Sequence, residues 1–435
     1  MSLDPFLNIN EDSLWRAEMS LPEIPNASIN PREDVVVIGS GYSGLHTALH
    51  LARAGRDVVI VDAGRVGEGC STRNSGHVSS EIHGGIKSLT AKYGENQAMK
   101  ILRTGQEAHK YLRRFVAEEG IDCDYQICGH FIGAHRADRL AGLEEFCSLQ
   151  NLIGTQAELI PADRVGEFVA TDHFAGGLHL PDWSSVHPGR LLVGLVKLVL
   201  QQGVRIIPHC RASQIEDHDD HISLMAGDKA VRAEQIVMGT DGYTDDASKW
   251  VQRRMVSVAS ISMVTEFMPK EMVSALYPRA SMIYDTRKNI SAHRPTPDGR
   301  RLLMGTVVPI DADNLSGSLP RARSNMLRVF PQLESVSLEF VWSGFVGATF
   351  SRLPHVGIRG RMGYAVGYNG TGVAMTAYLG HALAHKMLGH AGETGFDNVP
   401  FETKPFFHGQ TWYRRPVLAL HDVQDRLPSR KVGFG

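Results

Sequence analysis

Apolar positions are most regular between residues 34 and 62. "DVVVIGSGYSG" is a short unbroken apolar run that ends in a glycine-rich turn, the pattern of a buried strand. "LHTALHLARAG" follows, with Leu45, Ala48, Leu49 and Ala52 at helical spacing and Gly55 at the C-terminal stop. "RDVVIVDA" then predicts a second buried strand, which completes a βαβ unit.

Further along, residues 95–118 predict a helix with Leu102, Ala108, Leu112 and Phe115 on one broad face. The pattern from 123 to 184 is mixed, with strand-like "GHFIGAH" and turn-rich "LPDWSSVHPG". Residues 189–202 predict another helix, followed by the strand "VRIIPH". "EQIVMGTDGYT" is a strand ending in a polar turn, and residues 255–345 alternate strands with turns. "GYAVGYNGTGVAMTAYLGHALAHKML" reads as strand, glycine loop and helix. Two glycine loops at strand–helix junctions are thus separated by mixed β segments. The order predicts an α/β (α+β) chain, in which a discontinuous Rossmann-like domain carries an inserted, β-rich domain. The expected pieces are an arm at 1–33, a nucleotide-binding domain at 34–95, 185–250 and 346–400, a substrate domain at 96–184 and 251–345, and a tail at 401–435.

Composition narrows the function classes. A chain of 435 residues exceeds one ordinary core. The net charge of −2, with no basic block, argues against nucleic acid as a partner. No stretch of about 20 apolar residues suggests a membrane span. The start of the chain carries Asp4, Glu11 and Asp12 and lacks the pattern of a signal peptide. Five cysteines, an odd count, fit reduced thiols and a cytoplasmic location. Cys123 and Cys128 lack CxxC spacing, so no structural zinc is expected.

Gly39, Gly41 and Gly44 form GxGxxG around Tyr42 and Ser43, between strand and helix. The first glycine allows the tight turn, the second lets a pyrophosphate approach the backbone, and the third lets helix and strand pack closely. Asp62, at the end of the next strand, is placed to accept hydrogen bonds from a ribose. The alternative is an ordinary βαβ turn whose glycines serve packing alone. In "STRNSGHVSSEIHGG", residues 71–85, His77 and His83 also raise a metal site, with no carboxylate or cysteine read as completing a ligand set.

The next segment separates NAD from FAD. "GRVGEGCSTRNSGH" closely resembles a segment of FAD-dependent oxidases of the D-amino-acid oxidase superfamily. "SLWRAEM", "SSVHPGRLLVGLVKL", "IVMGTDGYT", "RPTPDGRRLLMGT", "WSGFVGATFSRLPHVG" and "YAVGYNGTGVAMT" resemble further family segments, in family order. The subfamily most resembled is the gamma-glutamylputrescine oxidase-like amine oxidases. The resemblance implies a discontinuous FAD-binding domain with an antiparallel-sheet domain over the flavin. It also implies a reaction: a C–N bond is oxidised to an imine by hydride transfer to flavin, water hydrolyses the imine, and oxygen reoxidises the flavin to give hydrogen peroxide.

By the same resemblance, Ser71, Thr72, Ser75 and Gly76 let the chain lie against the flavin, and Arg73 and Asn74 contact pyrophosphate and isoalloxazine. Gly370, Thr371, Gly372 and Val373 meet the pyrimidine edge, the alternative being a plain helix cap at Thr371. Ala212 meets adenine through its backbone, Ala63 and Arg65 follow the ribose-binding Asp62, and Gly239, Thr240 and Gly344 belong to flavin segments. Arg65 also reads as merely solvated. His77 occupies a commonly polar position. Some relatives attach flavin covalently through a histidine in this region, but their local motif differs, which implies noncovalent FAD.

On the substrate side, His293 is the candidate catalytic residue, as acceptor of the amine proton, with an exposed hairpin histidine as the alternative. Arg294, Tyr125 and Phe345 are further substrate candidates, with structural or packing roles weighed beside them. His130, near Tyr125, has the same two readings. Trp15 either walls the entrance or anchors the arm. Relatives that oxidise free α-amino acids often carry "glRP" where this chain has Phe345, Val346 and Gly347, which favours an amine substrate. The expected partners are a small amine and molecular oxygen. The alternatives are an amino-acid oxidase or dehydrogenase of the same superfamily, and a flavin-binding non-catalytic subunit.

Overall fold

The computed structural model describes residues 9–307, 315–410 and 414–427. Five parallel strands form the centre of the first sheet, in the order Met362–Val366, Lys229–Met238, Arg32–Ile38, Val58–Val61, Arg205–Ile207. Ile222–Ala226 and Ala212–Asp217 extend it as an antiparallel meander, and His355–Arg359 pairs antiparallel with Met362–Val366. Strand Arg32–Ile38 is buried on both faces, which explains its unbroken apolar run. Val35 and Val37 join a core with Leu45 and Leu49 of helix Tyr42–Arg53, Leu191 and Leu195 of helix Pro188–Gln201, and Leu379 and Leu383 of helix Gly372–Met387. Val36 and Ile38 join a second core under the meander, with Ile222, Leu224 and Ile236.

The second sheet runs Leu338–Thr349, Met255–Thr265, Leu302–Thr306, Ser291–Pro295, Met282–Asp285, His130–Gly133, Gly177–Leu180, Glu158–Ile160. Every pair is antiparallel except Met282–Asp285 with His130–Gly133, which is parallel. The two faces differ in company. Val341, Met263, Met304, Ile283 and Phe131 pack with residues of helices Lys270–Leu276 and Leu315–Val329. Tyr284 and Ile132, on the other face, pack into the core of the nucleotide-binding domain.

Three expected boundaries move. Helix Glu95–Glu118, assigned to the substrate domain, packs Ile101, Leu102 and Leu112 into the core that holds Leu379, so it belongs with the nucleotide-binding layers. Residues 346–349, expected in the nucleotide-binding domain, continue a strand of the second sheet. The expected tail contains helix Arg414–Arg426, whose Asp425 carboxylate accepts the backbone N–H groups of Lys288 at 2.8 Å and Asn289 at 3.2 Å.

Three histidines are wholly buried: His46, His130 and His293. Desolvation lowers each to about 3. Their pKa values in the unfolded chain lie near the ordinary value of about 6.5, so only the unfolded chain gains protons just below that pH. Stability is therefore complete above about pH 6.5 and falls as the pH drops toward the folded-state values, by about 2 kcal/mol per ring at about pH 5. Thermal unfolding of the holoprotein at neutral and mildly acidic pH measures this. An unchanged melting temperature would contradict the burial of neutral rings.

Candidate functional site

Strand Arg32–Ile38 delivers Gly39 with φ +101°, a conformation that L side chains rarely adopt. Helix Tyr42–Arg53 starts at Gly41 with no side-chain cap. A Cβ at Gly44 would lie 2.0 Å from the Gly39 carbonyl oxygen, so the close helix–strand approach depends on this glycine. The Tyr42 N–H is held by Ser71 Oγ at 2.9 Å, and the Tyr42 hydroxyl donates to the Pro188 carbonyl at 2.8 Å. Gly239 and Thr240 border the turn, with the Gly239 oxygen 3.1 Å from where a Gly39 Cβ would stand.

Helix Gly372–Met387, like Tyr42–Arg53, begins with no side-chain cap. Thr371 Oγ1 donates to the Tyr368 carbonyl at 3.1 Å and does not cap the helix. The Ser43 and Tyr368 hydroxyls lie 2.7 Å apart and tie the starts of the two helices together. Space around Gly370, at φ +97°, is open, with nothing within 4 Å of a Cβ built there. Uncapped helix starts offer unpaired N–H groups and positive potential to anions. The pair suits a ligand that is anionic at two places, a pyrophosphate and the flavin edge that becomes negative on reduction.

Asp62 follows strand Val58–Val61. Its carboxylate accepts Ser40 N at 2.7 Å, Ser40 Oγ at 2.6 Å and Gly64 N at 2.9 Å. A carboxylate offers about four acceptor positions, so one remains for a ribose hydroxyl. Cys210 N bonds the Asp62 carbonyl and His209 N the Gly64 carbonyl, which sets the segment leading to Ala212 beside Asp62 and Ala63. Arg65 is half-exposed and pairs with Glu68 at 3.1 Å and Asp12 at 3.5 Å.

The loop after Cys70 is braced from several sides. Asn74 Nδ2 donates to the Cys70 and Ser71 carbonyls, both at 3.0 Å, while its Oδ1 accepts Gly76 N at 2.8 Å. Arg73 Nε donates to the Glu68 carbonyl at 2.8 Å and another guanidinium N–H to the Ser343 carbonyl at 3.0 Å. Gly344 allows this approach, since a Cβ there would lie 3.1 Å from that of Arg73. Protein groups thus engage both side chains expected at the cofactor, which shape the loop and tie it to the second sheet. Thr72 Oγ1 donates to the Gly67 carbonyl at 2.7 Å. Two fully buried indoles grip the main chain: Trp342 donates to the Arg73 carbonyl at 3.0 Å and Trp15 to the Asn74 carbonyl at 2.7 Å. Trp15 is therefore an anchor of the arm. His77 Nδ1 meets Ser75 Oγ at 2.8 Å, and burial holds the ring well below its usual pKa.

The substrate side needs two corrections. His293 pairs across the sheet with Met304 and Ile283, on the helix-covered face, and packs against Phe330 and the Tyr277 hydroxyl, 2.6 Å from its Nδ1. It faces away from the nucleotide-binding domain, which removes it as the catalytic residue. Phe345 lies on the same face as Val341, opposite Gly344, and its ring meets Tyr243 at 5.4 Å, so it does not share the face of Tyr284. Arg294 does face the nucleotide-binding domain, where its guanidinium donates to the Val186 carbonyl at 3.0 Å, the Ser75 carbonyl at 3.4 Å and the Pro295 carbonyl at 3.0 Å. Burial lowers it to about 10, and its bonds make it a brace. Tyr125 packs against the main core, with its hydroxyl buried. His130 bonds the Ser184 carbonyl through Nε2 at 2.8 Å.

Other residues assemble there instead. The Tyr284 hydroxyl, which burial keeps protonated, donates to Glu81 Oε2 at 2.9 Å. Glu81 Oε1 lies 3.8 Å from His83 Nδ1, and His83 Nε2 bonds the Asn369 carbonyl at 2.8 Å, one residue before Gly370. A carboxylate therefore does stand beside His83, although among the described residues no group of three metal-binding side chains forms. Arg352, at φ +60°, is an exposed residue whose guanidinium is partly desolvated, which lowers its pKa against the opposing charge of Glu81. Asp241, at φ +40°, accepts Gly367 N at 2.7 Å and Gly347 N at 3.0 Å, and burial raises its carboxyl. The one local signal for Glu81 was a lone carboxylate in a loop of small residues and histidines.

Residues 34–386 match the family described as FAD dependent oxidoreductase (DAO). The chain belongs to this family. Gamma-glutamylputrescine oxidoreductase of Escherichia coli (strain K12) is 30% identical over 407 residues, which cover 91% of this chain and 93% of that protein. The DAO fold is also evident in solved structures. Glycine oxidase from Geobacillus kaustophilus superposes with a TM-score of 0.73 at 19% identity, over 86% of this chain and 99% of that one. L-proline dehydrogenase from P. horikoshii gives 0.69 at 14% identity, over 83% and 95%. This DAO-family oxidoreductase uses FAD, and the two uncapped helix starts, Asp62 and the braced loop are the residues that fit it. Among the described residues no helix is long and apolar enough to cross a membrane.

Proposed function

We propose that this FAD-dependent oxidoreductase acts on a primary or secondary amine, oxidising its C–N bond to an imine that water hydrolyses, with oxygen as the final acceptor and hydrogen peroxide as product. FAD supplies the two-electron acceptor when bound. The chain's own residues bind and orient. Gly39–Gly44 and Asp62 would hold the dinucleotide, Gly370–Val373 would offer N–H groups to the flavin edge, and the loop clamped by Trp15 and Trp342 would form a wall. The observation that carries the amine reading is Val346. It shares the face of Trp342 and Gly344, turned toward the nucleotide-binding domain, and offers no guanidinium for an α-carboxylate.

Arg352 favours a second reading, oxidation of an amino acid. Its guanidinium forms no ion pair or side-chain hydrogen bond among the described residues, and it lies in the field of Glu81. Oxygen consumption with peroxide release, measured on polyamines, gamma-glutamyl amines, N-methyl amino acids and free α-amino acids, separates the readings. The amine reading expects turnover in the first classes and little on simple α-amino acids. Turnover without peroxide indicates a dehydrogenase, and tight FAD with no turnover on any of them indicates a non-catalytic subunit. FAD is expected to be noncovalent, so acid precipitation leaves a colourless pellet. A yellow pellet contradicts this.

A further inference from the structure

Glu81 stands in the polar cluster beside the Asn369–Gly370 loop. Its two oxygens are unequally used. Oε2 accepts the Tyr284 hydroxyl at 2.9 Å, from the face of the sheet that meets the nucleotide-binding domain. His83 Nε2 donates to the Asn369 carbonyl at 2.8 Å, and its Nδ1 stands 3.8 Å from Oε1, beyond hydrogen-bond distance. Oε1 thus receives no hydrogen bond among the described residues. The side chain keeps 13% of its surface exposed, so a small polar group reaches it. The nearby charge is Arg352, whose guanidinium feels Glu81 but forms no ion pair with it. The His77 and Tyr284 rings meet edge-on, with centroids 6.2 Å apart. A largely enclosed carboxylate with a spare oxygen, oriented by a phenol that burial keeps protonated, is built to accept N–H groups from a cation.

We infer that Glu81 recognises the ammonium group of the substrate, and that Tyr284 is the positioning residue that aims its carboxylate. This rests on the amine reading and adds the charge state in which the ligand is selected. Val346 removes one anion clamp from the wall, and Glu81 supplies the opposite preference.

The test uses FAD-loaded protein and ligands that cannot turn over. tert-Butylammonium carries no hydrogen on the carbon next to nitrogen, so it binds without being oxidised. Pivalate carries the same tert-butyl group on a carboxylate. Isothermal titration calorimetry is expected to show tert-butylammonium binding to the native protein, about tenfold or more weaker binding to Glu81→Gln, and tighter binding of pivalate to that variant. Tyr284→Phe, which keeps the carboxylate and loses its holder, is expected to weaken tert-butylammonium by a smaller factor and keeps the test available if Glu81→Gln fails to fold. Opposite shifts for cation and anion are what a structural role would not produce. Equal affinities in native protein and variants, shifts of the same sign for both ligands, or no binding of tert-butylammonium to native protein would overturn the inference. An amine panel that leaves the flavin oxidised would sink the amine reading, while these binding constants would still decide the role of Glu81.

Discussion

Gly44→Ala is expected to purify largely without FAD. The added Cβ would stand 2.0 Å from the Gly39 oxygen and 3.1 Å from a Val37 methyl. Gly39 cannot yield easily, because its own backbone lies under Gly239 and its φ is already +101°. The helix must therefore move off the strand, and with it the Ser43–Tyr368 hydroxyl contact that joins the two uncapped helix starts. Overpacking of this kind costs about 2 kcal/mol, which corresponds to roughly 30-fold weaker cofactor binding if the bound state carries the cost. The ratio of flavin to protein absorbance after purification measures it. A full complement of FAD would mean that the helix–strand distance does not control the site.

Arg294→Ala is the second large effect. Arg294 is buried, and its guanidinium bonds three carbonyls with no carboxylate partner among the described residues. Truncation removes the donors that Ser75 and Val186 rely on and opens space beside Trp15, whose ring lies 5.8 Å away. Loss of a buried charge that no anion compensates offsets part of this. The balance is a destabilisation of about 3 kcal/mol, read as a lower denaturant midpoint at unchanged slope. Arg294→Lys keeps the charge without the planar fork and is expected to recover only part of the loss. A change within about 0.5 kcal/mol would place Arg294 outside the framework that holds the loop.

The nucleotide-binding unit was legible because its strand is buried on both faces and its glycines have local reasons. Gly39 needs a positive φ and Gly44 needs the space of a missing Cβ. The helical stripe of Glu95–Glu118 was equally plain, but a stripe says that a helix packs and not against which layer. His293 and Arg294 are neighbours on a strand and point to opposite faces, so their roles depend on register with strands distant in sequence. That register turned Arg294 toward the nucleotide-binding domain and His293 away from it. Glu81, Tyr284 and Arg352 come from three separate segments and follow no common period. Trp15 and Trp342, likewise distant in sequence, share one apolar cluster and bond the neighbouring carbonyls of Asn74 and Arg73.

The proposed reaction is oxidation of an amine by the FAD-loaded protein. Anaerobic mixing of the yellow holoprotein with the amine panel tests it most directly, because it removes oxygen and product release from the readout. At least one polyamine, gamma-glutamyl amine or N-methyl amino acid is expected to bleach the flavin, and admission of oxygen to restore the colour with release of peroxide. A flavin that stays yellow with every amine would contradict the account.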